Sequence, residues 1–266
     1  MNYSAIDTAL YAARKAGEML KDRVGQLQEH EIDKKDTFDF VTKTDKDSEK
    51  LIVDIIQSRH PGHHFLAEES HRAEQGEYRW IIDPLDGTTN FIHRVPMYSV
   101  SIALQYERNV LLGVVYDPNQ DECFVAEAGQ GAFLNNTRIQ VSDVKDASRA
   151  LLATGYPFRS KDLIDVYLQS FKRLFQDVSG IRRAGSAAID LCYVACGRFD
   201  GFWELNLKPW DIAAAQCIIQ EAGGRITDFA GKDRVLDTGN TIAANAHVYD
   251  HMVKIIQDTF QGIVDQ

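Results

Sequence analysis

The stretch Asp83-Pro84-Leu85-Asp86-Gly87-Thr88-Thr89-Asn90 gives the strongest indication of fold and chemistry in this chain. It follows the apolar segment Trp80-Ile81-Ile82, which is typical of a buried strand. Proline at the second position of a four-residue turn suits type I geometry, so Asp83 and Asp86 are predicted to lie within about 7 Å at Cα. Gly87-Thr88-Thr89 then predicts the start of a helix, where free backbone N–H groups can bind an anion. The stretch therefore predicts a cation site beside an anion site, although Asp-Pro and Asp-Gly also occur in ordinary turns.

Three further acidic positions have similar settings. Glu68, followed by Glu69, comes directly after a predicted strand, so one of the two can point toward the edge that carries Asp83. Asp211 and Asp45 each lie near the start of a predicted helix, where the simplest role is that of an N-cap. Clustered carboxylates repel one another by roughly 1–4 kcal/mol for each pair at 4 Å. A folded protein resolves this by protonating some of them or by binding cations.

Oxygen ligands beside a phosphate site favour Mg²⁺ as that cation. Two such ions about 3.5–4 Å apart can activate a water and neutralise a leaving oxygen. Phosphomonoesters need this help, since enzymes accelerate their hydrolysis by up to about 10²¹-fold. The acidic residues therefore indicate a metal-dependent phosphatase.

The bulk properties are those of a globular protein. The chain has 266 residues, of which 44% are hydrophobic and 26% charged, and its length allows one large domain or two joined ones. A net charge of −10 without an obvious basic patch argues against direct nucleic-acid binding. No apolar stretch reaches the roughly 20 residues of a membrane span, and the N-terminus lacks signal-peptide order. We therefore expect no membrane contact and a cytoplasmic protein, whose four cysteines are buried thiols.

The spacing of apolar residues predicts a mixed order of elements. Helices are predicted over about residues 4–28, 44–60, 163–175, 186–196 and 211–221. Strands are predicted over about residues 64–67, 79–82, 99–106, 110–116, 122–127, 132–134, 151–154 and 198–204. Turn signals between the middle strands are typical of an antiparallel meander. Together these patterns favour layered α and β elements over strict βαβ alternation.

Five motifs, in order and at similar spacing, resemble those of the inositol monophosphatase family of metal-dependent, lithium-sensitive phosphatases. They are Asp39-Phe40-Val41-Thr42-Lys43-Thr44-Asp45, Ala67-Glu68-Glu69-Ser70, residues 80–91, Gly185-Ser186-Ala187-Ala188, and Trp210-Asp211-Ile212-Ala213-Ala214 with Glu221-Ala222-Gly223-Gly224. The resemblance implies an α+β fold, a layered αβαβα sandwich with mixed, mainly antiparallel sheets, usually in a homodimer. It also implies one unit over residues 1–266, with most metal ligands in an N-terminal half to about residue 145. The C-terminal half, from about residue 146, would supply Asp211 and the substrate contacts.

The resemblance also implies ligands for two or three Mg²⁺ ions. Glu68, Asp83 and the carbonyl of Leu85 would bind the first ion, and a weaker third ion would lie near Glu68. Asp83, Asp86 and Asp211 would bind the second ion.

Other positions match residues that act on water and substrate. Asp45 and Thr88 resemble the pair that polarises the attacking water, with Glu68 as a further catalytic residue beside it. Gly87 and Thr88 would hold phosphate through backbone N–H groups. Glu204, Ala187 and Asp211 would line the pocket for the alcohol.

The implied activity is hydrolysis of a small phosphorylated polyol, foremost myo-inositol 1-phosphate. Fructose 1,6-bisphosphate, 3′-phosphoadenosine phosphate and NADP are alternative substrates. Bacterial relatives also imply a role as a partner of a transcription elongation factor in ribosomal RNA antitermination, with Arg182 and Arg183 as candidate contacts. A zinc site at His60, His63, His64 and His71 is a weaker alternative, because their spacing is irregular.

Overall fold

A computed structural model describes residues 3–36, 39–70 and 76–264. Its helices are α1 Ala5–Arg23, α2 Lys43–Arg59, α3 Thr88–Ile92, α4 Ile164–Asp177, α5 Ala187–Ala195, α6 Pro209–Glu221, α7 Val235–Thr238 and α8 Ala246–Phe260. Its strands are β1 Ile32–Asp36, β2 Asp39–Thr42, β3 His64–Ala67, β4 Tyr78–Asp86, β5 Ser99–Tyr106, β6 Asn109–Asp117, β7 Glu122–Glu127, β8 Gly131–Leu134, β9 Thr137–Ile139, β10 Leu151–Thr154, β11 Gly180–Arg182, β12 Gly201–Glu204, β13 Arg225–Thr227 and β14 Thr241–Ala244. None of the helices in these ranges is both long and apolar enough to cross a membrane.

Two large sheets organise the chain. The first has seven strands in the order β3-β4-β5-β6-β7-β8-β9, all antiparallel neighbours except β3 and β4. The second has five strands in the order β11-β10-β12-β14-β13, in which β10 is parallel to both of its neighbours. The predicted antiparallel meander over β5 to β8 is confirmed, because short turns join strands whose apolar residues face a core.

Helices cover both sheets in layers. Helices α1 and α2 pack on one face of the seven-stranded sheet, and the buried alanines of α1 and the buried isoleucines of α2 form a core with β4 to β6. Helices α5 and α6 lie between the sheets and contribute the central core. Helices α4 and α8 close the outer face of the five-stranded sheet. This order of layers, α-β-α-β-α, confirms the predicted α+β fold with mainly antiparallel sheets.

The predicted four-residue turn at Asp83–Asp86 is wrong in one respect, because strand β4 continues through it. Asp83 pairs with Ser101 and Asp86 with Ser99, so three steps on β4 oppose two steps on β5. This extra residue is a β-bulge, and proline is tolerated in a strand at such a place. Side chains three apart in a regular strand point to opposite faces, whereas the bulge lets both carboxylates reach the same side.

Two helix starts also differ from the prediction. Helix α2 is capped by Thr42, and Asp45 is its third residue, with its side chain accepting from the Thr42 backbone N–H. Helix α6 begins at Pro209, so Asp211 is again the third residue and accepts from the backbone N–H of Lys208. In both helices the carboxylate satisfies a free N–H group at the helix start and keeps an oxygen for other partners.

Candidate active site

Three carboxylates from two elements meet at one point. Asp83 and Asp86 come from the bulged end of β4, and Asp211 comes from the first turn of α6. One oxygen of each lies within 4.8 Å of the others, and among the described residues this is the group of acidic, histidine or cysteine side chains that could hold a metal ion. Oxygen atoms at this mutual distance can share one or more cations.

Hydrogen bonds hold the Asp83 and Asp86 carboxylates in place. Asp83 Oδ1 accepts from the backbone N–H of Leu85 at 2.9 Å. Asp86 Oδ2 accepts from the hydroxyl of Ser186 and, at 2.8 Å, from the backbone N–H of Ala188. These two donors lie at the start of α5, so Asp86 ties the seven-stranded sheet to the middle helical layer.

The electrostatics of this group favour protons or cations. Burial raises the pKa of Asp86 to about 6 and that of Asp211 to about 7, and neighbouring carboxylates add to both shifts. The pKa of Asp83 is raised well above its usual range by burial and then by the charge of Glu68. Arg159, whose Nη1 lies 3.7 Å from Asp211, opposes the shift of Asp211. A divalent cation would offset both the burial and the mutual repulsion that raise these pKa values.

Asp45 and Thr88 meet beside the three carboxylates. The Thr88 hydroxyl lies 2.9 Å from Asp45 Oδ1 and 3.1 Å from the carbonyl oxygen of Leu85. It has one hydrogen to donate, so donation to Asp45 leaves the Leu85 carbonyl free for another partner. Asp45 is fully buried, and burial raises its pKa to about 6 against the opposing bonds from Thr42.

Glu68 follows strand β3 and approaches the same centre. Its backbone N–H donates to the carbonyl of Ile82, which holds it alongside the end of β4. The charge of Glu68 raises the pKa of Asp83, Asp86, Asp211 and Asp45. It is therefore close to all four, although the tight group within 4.8 Å comprises only the three aspartates.

One cavity of about 280 Å³ contains this centre and extends to the second sheet. Residues from the first half that line it include Glu68, Asp83, Leu85, Asp86, Gly87 and Thr88. Ala187, Glu204 and Asp211 line it from the second half. The cavity therefore brings together nine of the ten predicted site residues, and Asp45 lies behind Thr88.

The chain is similar to known proteins over most of its length. The family model described as the inositol monophosphatase family matches residues 2–261. The chain belongs to the inositol monophosphatase family. It is 43% identical over 258 residues to the Nus factor SuhB of Pseudomonas aeruginosa, with 95% of each chain covered.

Two solved structures are also similar to this chain. The extragenic suppressor protein suhB of Bartonella henselae is 40% identical with a TM-score of 0.92, covering 98% of this chain and 100% of that one. The inositol monophosphatase of Anabaena is 38% identical with a TM-score of 0.86 and 95% coverage of both chains. Both similarities extend over nearly the whole chain, as the order of the five motifs predicts.

Sequence reasoning missed several residues of the inositol monophosphatase cavity. Ser186, Asp190, Arg159 and Arg183 all line it. Arg183 was predicted as a surface contact; its side chain is exposed, but its guanidinium lies over the Tyr156 ring at 5.4 Å and reaches the cavity. The Ser186-Ala187-Ala188 motif could have indicated Ser186, since a serine before an apolar helix is a typical N-cap.

The histidines have other partners. His63 Nδ1 accepts from the indole N–H of Trp80 at 3.0 Å, and His60 lies 3.0 Å from the hydroxyl of Thr8. His71 lies outside the described residues. The cysteines are free thiols, and the prediction that all four are buried is confirmed for Cys123, Cys192 and Cys217 but wrong for Cys196, which is half-buried.

Proposed function

We propose that this chain is a Mg²⁺-dependent phosphatase that hydrolyses small phosphomonoesters, foremost myo-inositol 1-phosphate. The observation that carries the proposal is the group of Asp83, Asp86 and Asp211 within 4.8 Å. Family membership supports it, because the motifs that define the resemblance supply these three side chains.

The chemistry of the donor set fits Mg²⁺. The three clustered side chains are carboxylates, which are hard oxygen ligands, and a bound cation would offset the burial and mutual repulsion that raise their pKa values. We propose Glu68, Asp83 and the Leu85 carbonyl as ligands of one ion and Asp83, Asp86 and Asp211 as ligands of a second, with a third near Glu68. When bound, Mg²⁺ supplies an acidified water and neutralises charge on the phosphate and leaving oxygens.

The chain's own residues then have three tasks. Asp45 and Thr88 are proposed to polarise the attacking water, with Glu68 beside them: the Thr88 hydroxyl, which donates to Asp45, can accept from that water and pass a proton on to Asp45. Gly87 and Thr88 are proposed to donate backbone N–H groups to the phosphate, and Gly87 suits this because its φ of 96° is in the left-handed region. Ala187, Glu204 and Asp211 are proposed to contact the alcohol.

The decisive experiment measures phosphate release from myo-inositol 1-phosphate. The wild type should be active with Mg²⁺ and inhibited by millimolar Li⁺, and Asp86→Asn should lose at least 90% of the activity. Full activity of Asp86→Asn would overturn the metal assignment. The same assay with fructose 1,6-bisphosphate, 3′-phosphoadenosine phosphate and NADP would decide among the alternative substrates.

A second candidate function is supported by the names of relatives. Proteins named Nus factor SuhB are 42–43% identical to this chain over 95% of its length. We propose that the chain is also a partner of a transcription elongation factor in ribosomal RNA antitermination, which would place it in the cytoplasm. Arg182, exposed on the edge strand β11, is a candidate contact. Retention of Asp86→Asn by the immobilised transcription machinery, together with loss of retention for Arg182→Ala, would separate this role from catalysis.

We further propose that residues 1–266 act as one unit in a homodimer. The N-terminal part to about residue 145 would carry most metal ligands, and the rest would carry Asp211 and the alcohol contacts. Sedimentation of the full chain measures the oligomeric state.

A further inference from the structure

Asp190 is a buried carboxyl for which the proposed mechanism has no use. It lies on α5 and lines the cavity that contains the three aspartates. Only 2% of it is exposed, and its Oδ1 atom is buried without a hydrogen-bond partner. No ion pair joins it to any residue in the described part of the chain.

Glu204, at the end of β12, is a second buried carboxyl of this kind. It lines the same cavity, is 6% exposed, and makes no hydrogen bond through its carboxyl to any described residue. Gly155 follows Thr154, the residue of β10 that pairs with Trp203, and a Cβ atom at Gly155 would lie 1.9 Å from Glu204 Oε1. Glycine therefore leaves the space that the Glu204 carboxyl occupies.

Two unpartnered carboxyls at the edge of one cavity call for a physical reason. Buried polar groups in native proteins are nearly always hydrogen-bonded. Burial raises the pKa of Glu204 to about 8 and that of Asp190 well above its usual range, and the charge of Glu204 adds to the shift at Asp190. Arg183 opposes both shifts from a distance. A molecule that enters the cavity can provide the hydrogen bonds that these two carboxyls lack.

We propose that Asp190 binds one further hydroxyl group of the leaving alcohol, beside the hydroxyl contact already proposed for Glu204. Each carboxyl oxygen can accept from a hydroxyl, and the pair favours an alcohol with two further hydroxyls over one with none. Asp190 thereby helps to determine the specificity for polyol substrates, next to the contact proposed for Glu204. This inference rests on the proposed phosphatase function, because it concerns the substrate of that same cavity.

Site-directed variants with two esters test the subsite. The wild type and Asp190→Ala are assayed with Mg²⁺ on myo-inositol 1-phosphate and on p-nitrophenyl phosphate, whose leaving alcohol has no second hydroxyl. We expect kcat/KM of Asp190→Ala to fall 10- to 100-fold for the inositol ester and less than threefold for the aryl ester. Asp190→Asn, which keeps one acceptor oxygen, should recover part of the loss. The Ki of inorganic phosphate should be the same in wild type and Asp190→Ala.

A matched control separates recognition from folding. Asp200 is also buried, but its carboxyl is bonded to the Ser142 hydroxyl and the Leu151 N–H. Asp200→Asn should leave the ratio of the two kcat/KM values unchanged. Three results for Asp190→Ala would overturn the subsite: an equal fall in kcat/KM for both esters, an unchanged kcat/KM for the inositol ester, or a raised Ki for phosphate. A wild type inactive on both esters would instead overturn the proposed phosphatase function.

Discussion

Thr88 donates a hydrogen bond to Asp45 across 2.9 Å, although 43 residues separate the two in sequence. The bond joins the first turn of α2 to the first turn of α3, beside the aspartates of β4. It fixes the direction of one carboxylate oxygen, while the other oxygen caps α2 through Thr42. One side chain therefore serves both the fold and the proposed chemistry.

The first prediction concerns this pair. Asp45→Asn should lower kcat about 10²- to 10⁴-fold, because an amide cannot take up the proton that the attacking water passes on through the Thr88 hydroxyl. Its carbonyl oxygen can still accept from the Thr42 N–H, so the free energy of unfolding should change by less than about 1 kcal/mol. Steady-state kinetics and thermal unfolding measure the two effects. Thr88→Ser keeps the hydroxyl and is the control, whereas half of the wild-type kcat in Asp45→Asn would contradict the assignment.

The sequence predicts which residues gather in the cavity better than it predicts how they are arranged there. Asp83, Asp86 and Asp211 predict a cation site by residue type, because carboxylates that gather in a folded protein must take up protons or cations. The bulge that turns Asp83 and Asp86 to one side depends on the register between β4 and β5, which no local pattern contains. Asp190 lies one turn into an apolar helix, and only the packing of α5 against the second sheet brings it to the cavity.

The second prediction concerns metal and stability. Mg²⁺ should raise the Tm of the wild type, since at a concentration of 100 times Kd it adds about 2.7 kcal/mol to the free energy of unfolding. Asp83→Asn should lose most of this increase, and in EDTA it should be at least as stable as the wild type because one of the mutually repelling carboxyls is gone. Differential scanning fluorimetry with and without Mg²⁺ measures both. Asp250→Asn, at a side chain that is 77% exposed, is the control with an unchanged Mg²⁺ response.

The third prediction concerns pH. In EDTA the folded protein holds protons on Asp45, Asp211 and Glu204 more tightly than the unfolded chain, with pKa values of about 6, 7 and 8. The resulting stability is fully present below the ordinary pKa of a carboxyl, about 4, and is lost as the pH rises through these values. We therefore expect Tm in EDTA to fall between pH 5 and pH 8. Mg²⁺ should reduce this fall, and a Tm in EDTA that rises across the same range would contradict the assignment.

The last prediction tests how α6 is seated on the seven-stranded sheet. Gly113 lies on β6, and a Cβ atom there would lie 2.2 Å from the backbone carbonyl oxygen of Ala214. Gly113→Ala must push α6 outward, and overpacking of this kind costs about 1–3 kcal/mol. Because Asp211 lies on the first turn of the same helix, the Mg²⁺ concentration for half-maximal activity should rise as Tm falls. Gly62→Ala is the control: a Cβ there meets nothing within 4 Å, and its free energy of unfolding should change by less than about 0.5 kcal/mol. A Gly113→Ala variant with wild-type Tm and wild-type Mg²⁺ dependence would show that the helix can shift without moving Asp211 from its partners on β4.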